Sequence, residues 1–234
     1  MKCASVLLLA PVFALAAQTA SEVAITAEPH HHLVFANEQV RVFSVEVPPH
    51  SATLMHRHAY DYFYVVLGAT DISNQVSGKP AAELKLADGE TRFSPGPFAH
   101  LVRTSDQAFR NVTVELLQDE KLRKSTAKWD EDRGLDILQG GTKEILFVKD
   151  GVCASEFELQ VGGVLPPMRH PYLLIAVSDV ALMPSEQVHG GIPSYVPREA
   201  QLKSGDSRWH AAADIHGMTN VGRSPAKFVT LEFP

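Results

Sequence analysis

"LVFANEQVRVFSVEVPPHSATLMHRH", residues 33–58, lies over "ILFVKDGVCASEFELQVGGVLPPMRH", residues 145–170, at a constant offset of 112 and without a gap. Val40 meets Val152, Glu46 meets Glu158, Arg57 meets Arg169 and His58 meets His170. A second block, "DGETRFSPGPFAHLVRT" (88–104), lies over "SGDSRWHAAADIHGMTN" (204–220) at an offset of 116, so that Gly89 meets Gly205, Arg92 meets Arg208, Phe93 meets Trp209 and His100 meets His216. Two blocks recurring in the same order mark an internal duplication, which settles architecture before any single element does.

The repeated unit is built of strands. "VRVFSVEV" (40–47), "YFYVVLG" (62–68), "RNVTVELL" (110–117), "ASEFELQV" (154–161) and "KFVTLEF" (227–233) alternate with period two, are rich in Val, Phe, Tyr and Thr, and are broken by Gly and Pro. An all-β chain of two tandem antiparallel barrels is expected, the first over residues 25–130 and the second over 135–234. Between the copies, "QDEKLRKSTAKWDEDRG" (118–134) is too charged for a core and lacks alternation, so it reads as a surface connection.

Residues 1–17 stand apart. Lys2, the apolar run Ala4–Ala16 and small residues at Ala14 and Ala16 have the layout of a cleaved export signal, and Pro11 together with the short run argues against a membrane span. A secreted or periplasmic protein is expected. Cys3 leaves with the signal and Cys153 remains alone, so no internal disulfide forms and stability must come from burial, for which 45% hydrophobic residues suffice. A net charge of -6 with mixed signs argues against nucleic acid or an anionic membrane as partner.

"MHRHAYDYFYVVLG" (55–68) carries the chemistry. On a strand, His56 and His58 share a face while Arg57 points away. His100 follows in "SPGPFAHL", where Pro95-Gly96-Pro97 turns the chain into another strand that can lie beside the first. Three neutral imidazoles converging in a barrel mouth suit Zn, Cu, Fe or Ni. His30–His32 read as a solvated loop as readily as anything else, and the sequon at Asn111 sits inside a predicted strand.

"HRHAYDYFYVVLG" resembles the first motif of the cupin superfamily, G(x)5-HxH-(x)3,4-E-(x)6-G, and "PGPFAHLVRT" resembles its second, PG-(x)n-H-(x)3-N. The resemblance implies a bicupin, two small jelly-roll barrels in one chain packed as an intramolecular pseudo-dimer. It also implies a divalent transition metal (Fe, Mn, Zn, Ni or Cu) on His56, His58 and His100, with an acidic ligand. Counting forward from His58, the acid position is Tyr62; counting back from Gly68, it is Asp61. Strand parity favours Tyr62 facing the histidines, whereas a carboxylate at Asp61 would complete a set of three histidines and one acid. Asp61 is carried as the fourth ligand and Tyr62 as a pocket phenol. The first-motif glycine is absent, and Thr104 stands where asparagine is usual.

The second copy has Met168 and His170 at the His-x-His positions, Pro171-Tyr172-Leu173-Leu174 beyond them with no carboxylate, and His216 retained. Two imidazoles hold an ion weakly, so this barrel is expected to be metal-free. The resemblance permits dioxygenase-like or lyase chemistry on a small organic molecule. The alternative is a non-catalytic binder of a small ligand or sugar.

Overall fold

The computed structural model describes residues 21–117, 134–149, 151–184, 188–189, 192–193, 199–211 and 216–233. The signal-like residues 1–17 and the connection 118–133 lie outside them.

Each half folds into two facing sheets. In the first half one sheet runs in the order Val23–Ala24, His56–His58, Phe98–Thr104, Thr70–Val76, Ala82–Leu86. The other runs His31–Ala36, Val40–Val47, Phe109–Leu116, Tyr62–Val66, Thr91–Ser94. Every pairing is antiparallel except the short one between Val23–Ala24 and His56–His58. The second half repeats the plan. A sheet of six (Leu135–Leu138, Gly141–Lys149, Val152–Leu159, Ala226–Glu232, Tyr172–Ala176, Ser207–His210) faces one of four (Val164–Leu165, Met218–Asn220, Val180–Pro184, Ala200–Leu202). The all-β, two-barrel expectation is thereby met.

Why the central strands read as almost continuous apolar runs becomes clear from their two faces. Phe43, Val45, Val66 and Phe109 point into the first barrel. Val40, Val42, Phe63, Val65, Val112 and Val114 point the other way and join Val152, Ala154, Leu173, Ile175, Val229 and Leu231 of the second half in one buried cluster. Phe63 stacks on Phe147 at 4.8 Å and Phe35 on Trp209 at 6.1 Å across this contact. The halves thus pack face to face, and among the described residues no strand of one half pairs with a strand of the other. A sheet buried on both faces needs apolar side chains on both, so polar residues on its inner face stand out.

Among the described residues no helix is long and apolar enough to cross a membrane.

Candidate metal centre

Strand register builds the site. His56 lies directly opposite His100, and His58 opposite Phe98, so the three imidazoles project from two neighbouring strands onto one inner face. Ring centroids are 4.5 Å apart for His56 and His100, and 5.2 Å apart for His58 and each of the others. His56 and His58 are 0% and 1% exposed and His100 8%.

A fourth imidazole joins them. His31 begins the strand paired with Val40–Val47, opposite Val45, and its side chain turns inward and is 6% exposed. His30 turns away, its Nδ1 meeting the Glu46 carbonyl at 3.0 Å. The coordinating atoms of His31, His56 and His58 lie within 4.8 Å of one another, and the His31 ring is 4.6 Å from that of His56.

Three of the four rings are hydrogen-bonded through Nδ1, and the Nδ1 of His58 is buried without a hydrogen bond. His56 Nδ1 meets the Leu54 carbonyl at 2.9 Å, His100 Nδ1 meets Asn74 Oδ1 at 2.8 Å, and His31 Nδ1 meets Glu28 Oε2 at 2.6 Å. His58 Nδ1 faces Glu115 Oε1 at 3.6 Å. An outer acceptor on one ring nitrogen fixes the tautomer and turns the other nitrogen's lone pair inward, the arrangement that metal-binding histidines use. The consequences are visible at three atoms. His56 Nε2 is buried with no hydrogen-bond partner. His58 Nε2 and His100 Nε2 are 3.2 Å apart. Two nitrogens bound to one ion at about 2.0–2.1 Å and at right or tetrahedral angles sit about 2.9–3.4 Å apart. The donor set therefore fits a divalent transition ion.

The outer carboxylates are themselves organised. Glu28, 2% exposed, also accepts from the His30 and Leu54 amides at 2.8 and 3.2 Å. Burial works against its charge, yet the bonds from His31 and these amides outweigh it and hold its carboxyl below the usual range. Glu115, fully buried, pairs with Arg41 at 2.6 Å. The imidazoles are held neutral: burial, followed by His31 nearby, lowers the His56 value to about 3. Burial likewise pulls His58 down, and burial together with His56 and His58 pulls His100 well down.

Asp61, carried as the acidic ligand, is not brought to the rings. It is not among the residues lining the cavity beside them, and its Oδ1 accepts the Gly96 amide at 2.8 Å. Gly96 approaches so closely that a Cβ there would sit 2.4 Å from the Tyr60 carbonyl oxygen, so Asp61 clasps the Pro-Gly-Pro turn against the chain leaving His58. Tyr62 faces inward, as strand parity required, and stacks on His58 with centroids 3.9 Å apart. Burial raises its phenol well above the ordinary value, so it stays protonated.

His31, Glu28, Asn74 and Glu115 escape the sequence reading. Only Glu115 leaves a trace there: in "RNVTVELL", Asn111, Thr113 and Glu115 recur at every second place in an apolar strand, three polar groups on an inner face. Asn111 is 3% exposed and accepts from Thr113 Oγ1 at 2.8 Å, which removes the sequon from solvent.

No protein-family model and no curated protein sequence matches the chain. Solved structures do match in fold. Oxalate decarboxylase from Lactobacillus farciminis, in complex with formate, superposes with a TM-score of 0.60 over 85% of this chain and 78% of that one, at 12% identity. Vicilin from Capsicum annuum gives 0.59 over 84% and 76%, at 16% identity. Oxalate decarboxylase from Bacillus subtilis gives 0.58 over 83% and 68%, at 11% identity. At such identities the likeness is one of architecture, and it coincides with the duplicated jelly roll: the chain has the two-barrel fold of these proteins, the architecture that the resemblance of its motifs to bicupins implied.

Proposed function

We propose that this is an exported bicupin whose first barrel holds one divalent transition metal on His56, His58 and His100, with His31 as a further imidazole, and uses it on a small organic molecule in the adjoining cavity. The observation that carries the reading is the 3.2 Å approach of His58 Nε2 to His100 Nε2, with the other nitrogen of His100 already bonded to Asn74 and that of His58 facing a carboxylate. At that separation the two nitrogens can share either one proton or one cation, and the buried His56 Nε2, with no hydrogen-bond partner, adds a third donor for the cation. The all-nitrogen donor set suits Fe, Ni, Cu or Zn. Manganese enters because the Bacillus subtilis oxalate decarboxylase of the same fold has Mn(II) centres. Bound there, such an ion supplies Lewis acidity or a redox centre. The protein's own part is to hold His56, His58 and His100 neutral by burial, and to border the rings with a cavity of about 340 Å³. Asp61 has no part in this proposal. Export rests on the layout of residues 1–17.

Elemental analysis of tag-free protein tests it. Wild type should carry near one transition-metal ion per chain and His58→Ala none, since His58 belongs both to the grouping with His31 and to the one with His100. His31→Ala and His100→Ala should each weaken retention. A metal-free wild type that stays so after incubation with Fe, Mn, Ni, Cu and Zn salts would favour the non-catalytic binder.

A further inference from the structure

The cavity beside the imidazoles says what kind of molecule it takes. About 340 Å³ in volume, it is walled largely by Val45, Val47, Ile72, Leu84, Val102 and Phe109. No carboxylate lines it; the two buried ones stand behind the rings, Glu28 against His31 and Glu115 between His58 and Arg41. Lys79, exposed in the turn after Thr70–Val76, is the one lining residue with a permanent charge. Several polar lining groups are already bonded, Thr53 Oγ1 accepting the Val102 amide, while the hydroxyls of Tyr62, Tyr64 and Ser94 also line the cavity. Asn111 and Thr113 bond each other, and Asn74 Oδ1 is bonded to His100.

Three occupants fail on these grounds. A sugar would set part of its ring of hydroxyls against aliphatic walls, at a cost of about 1–3 kcal/mol for each group left unpaired. A small dianion would bring two charges to an ion that already has the Glu28 carboxylate behind one of its rings, in a cavity with no arginine and with Lys79 as its one lysine. A cation would meet no carboxylate and, with the ion in place, a like charge. Imidazole ligands bring no charge of their own to a divalent ion, and of the two carboxylates behind the rings Glu115 is paired with Arg41 while Glu28 offsets part of the charge, so the remainder draws one anionic group to that end while the aliphatic walls accept an apolar body. We infer that the first barrel binds a small organic monoanion with an apolar body, a monocarboxylate or enolate whose charged oxygen faces the imidazole cluster. This rests on the metal reading above and narrows its substrate class.

Isothermal titration of tag-free, metal-containing protein with matched pairs tests the inference: 3-phenylpropanoate against 3-phenylpropanamide, and hexanoate against hexanamide, with oxalate and glucose alongside and metal content measured on the same batch. At least one acid should bind about tenfold or more tighter than its amide, a difference of about 1.4 kcal/mol, and tighter than oxalate or glucose. Asn111→Phe, which fills the cavity without touching an imidazole, should keep its metal and lose the acid. Lys79→Met should weaken the acid about two- to fivefold, as befits an exposed charge. If neither acid outbinds its amide, or if oxalate or glucose binds tighter than both acids, while one ion per chain is present, the inference falls and the metal reading stands. A batch that takes up no ion removes both.

Discussion

The two barrels share one strand plan and fill it differently. Pairing registers align them residue by residue: Val45 and Asn111 face each other in the first as Phe157 and Phe228 do in the second, and Tyr64 beside Thr113 becomes Leu174 beside Thr230. Phe157 and Phe228 stack at 5.2 Å and join Leu159, Leu165, Met168 and Leu174 in a closed apolar core. Met168 occupies the place of His56. The matching interior positions therefore hold polar rings beside a cavity in one copy and, among the described residues, a packed apolar cluster in the other. Duplication supplied two scaffolds, and a few inward side chains gave one an imidazole cluster and the other an apolar core.

The comparison can be broken by exchanging its terms. Phe157→Ala opens a void in the packed barrel and should cost about 3–5 kcal/mol. Val45→Ala, at the matching place but already beside open space, should cost only about 1.5 kcal/mol, the transfer value of two methyl groups. Chemical denaturation measures both, and equal losses would mean that the first interior is packed as tightly as the second.

Next in size is the hold on the rings. Asn74→Leu removes the acceptor of His100 Nδ1 without removing a ring, and should weaken metal binding about 10- to 100-fold in competition with a chelator. Unchanged affinity would show that His100 needs no outer partner.

A smaller effect follows from pH. In the folded barrel His56, His58 and His100 are pulled below the ordinary imidazole value, His56 to about 3. Between about 6.5 and those values the unfolded chain binds protons that the folded one refuses. Metal-free protein should therefore be most stable above pH 6.5 and lose stability as the pH falls towards 3, and His56→Gln should shallow that slope. A melting temperature flat from pH 7 to pH 4 would contradict the burial of neutral rings.

The smallest expected effect belongs to Asp61→Asn. The amide oxygen can still accept the Gly96 N–H, so metal content should not change. Loss of metal in this variant would return Asp61 to the ligand set.

Much of this was legible beforehand for a physical reason. Strand alternation is local, so His56, His58 and Tyr62 could be assigned to one face from spacing, and the glycine-proline turn before His100 announced a neighbouring strand. His31 was not legible. In a run of three histidines, which one turns inward depends on the register with Val45, a contact made across a hairpin bulged between Leu33 and Phe35. Asp61 misled because a motif count is blind to the hydrogen bond that takes its carboxylate to Gly96.

The amino-acid sequence by itself determined the duplication, the β architecture, the pairing of two histidines on one strand face and the loss of that pair from the second copy, because these are patterns of period two or of long repeat. Only the tertiary structure decided which further imidazole, which outer acceptors and which open volume belong to the centre. Those depend on distances between strands far apart in the chain, set by how two buried sheets stack, and no local pattern encodes them.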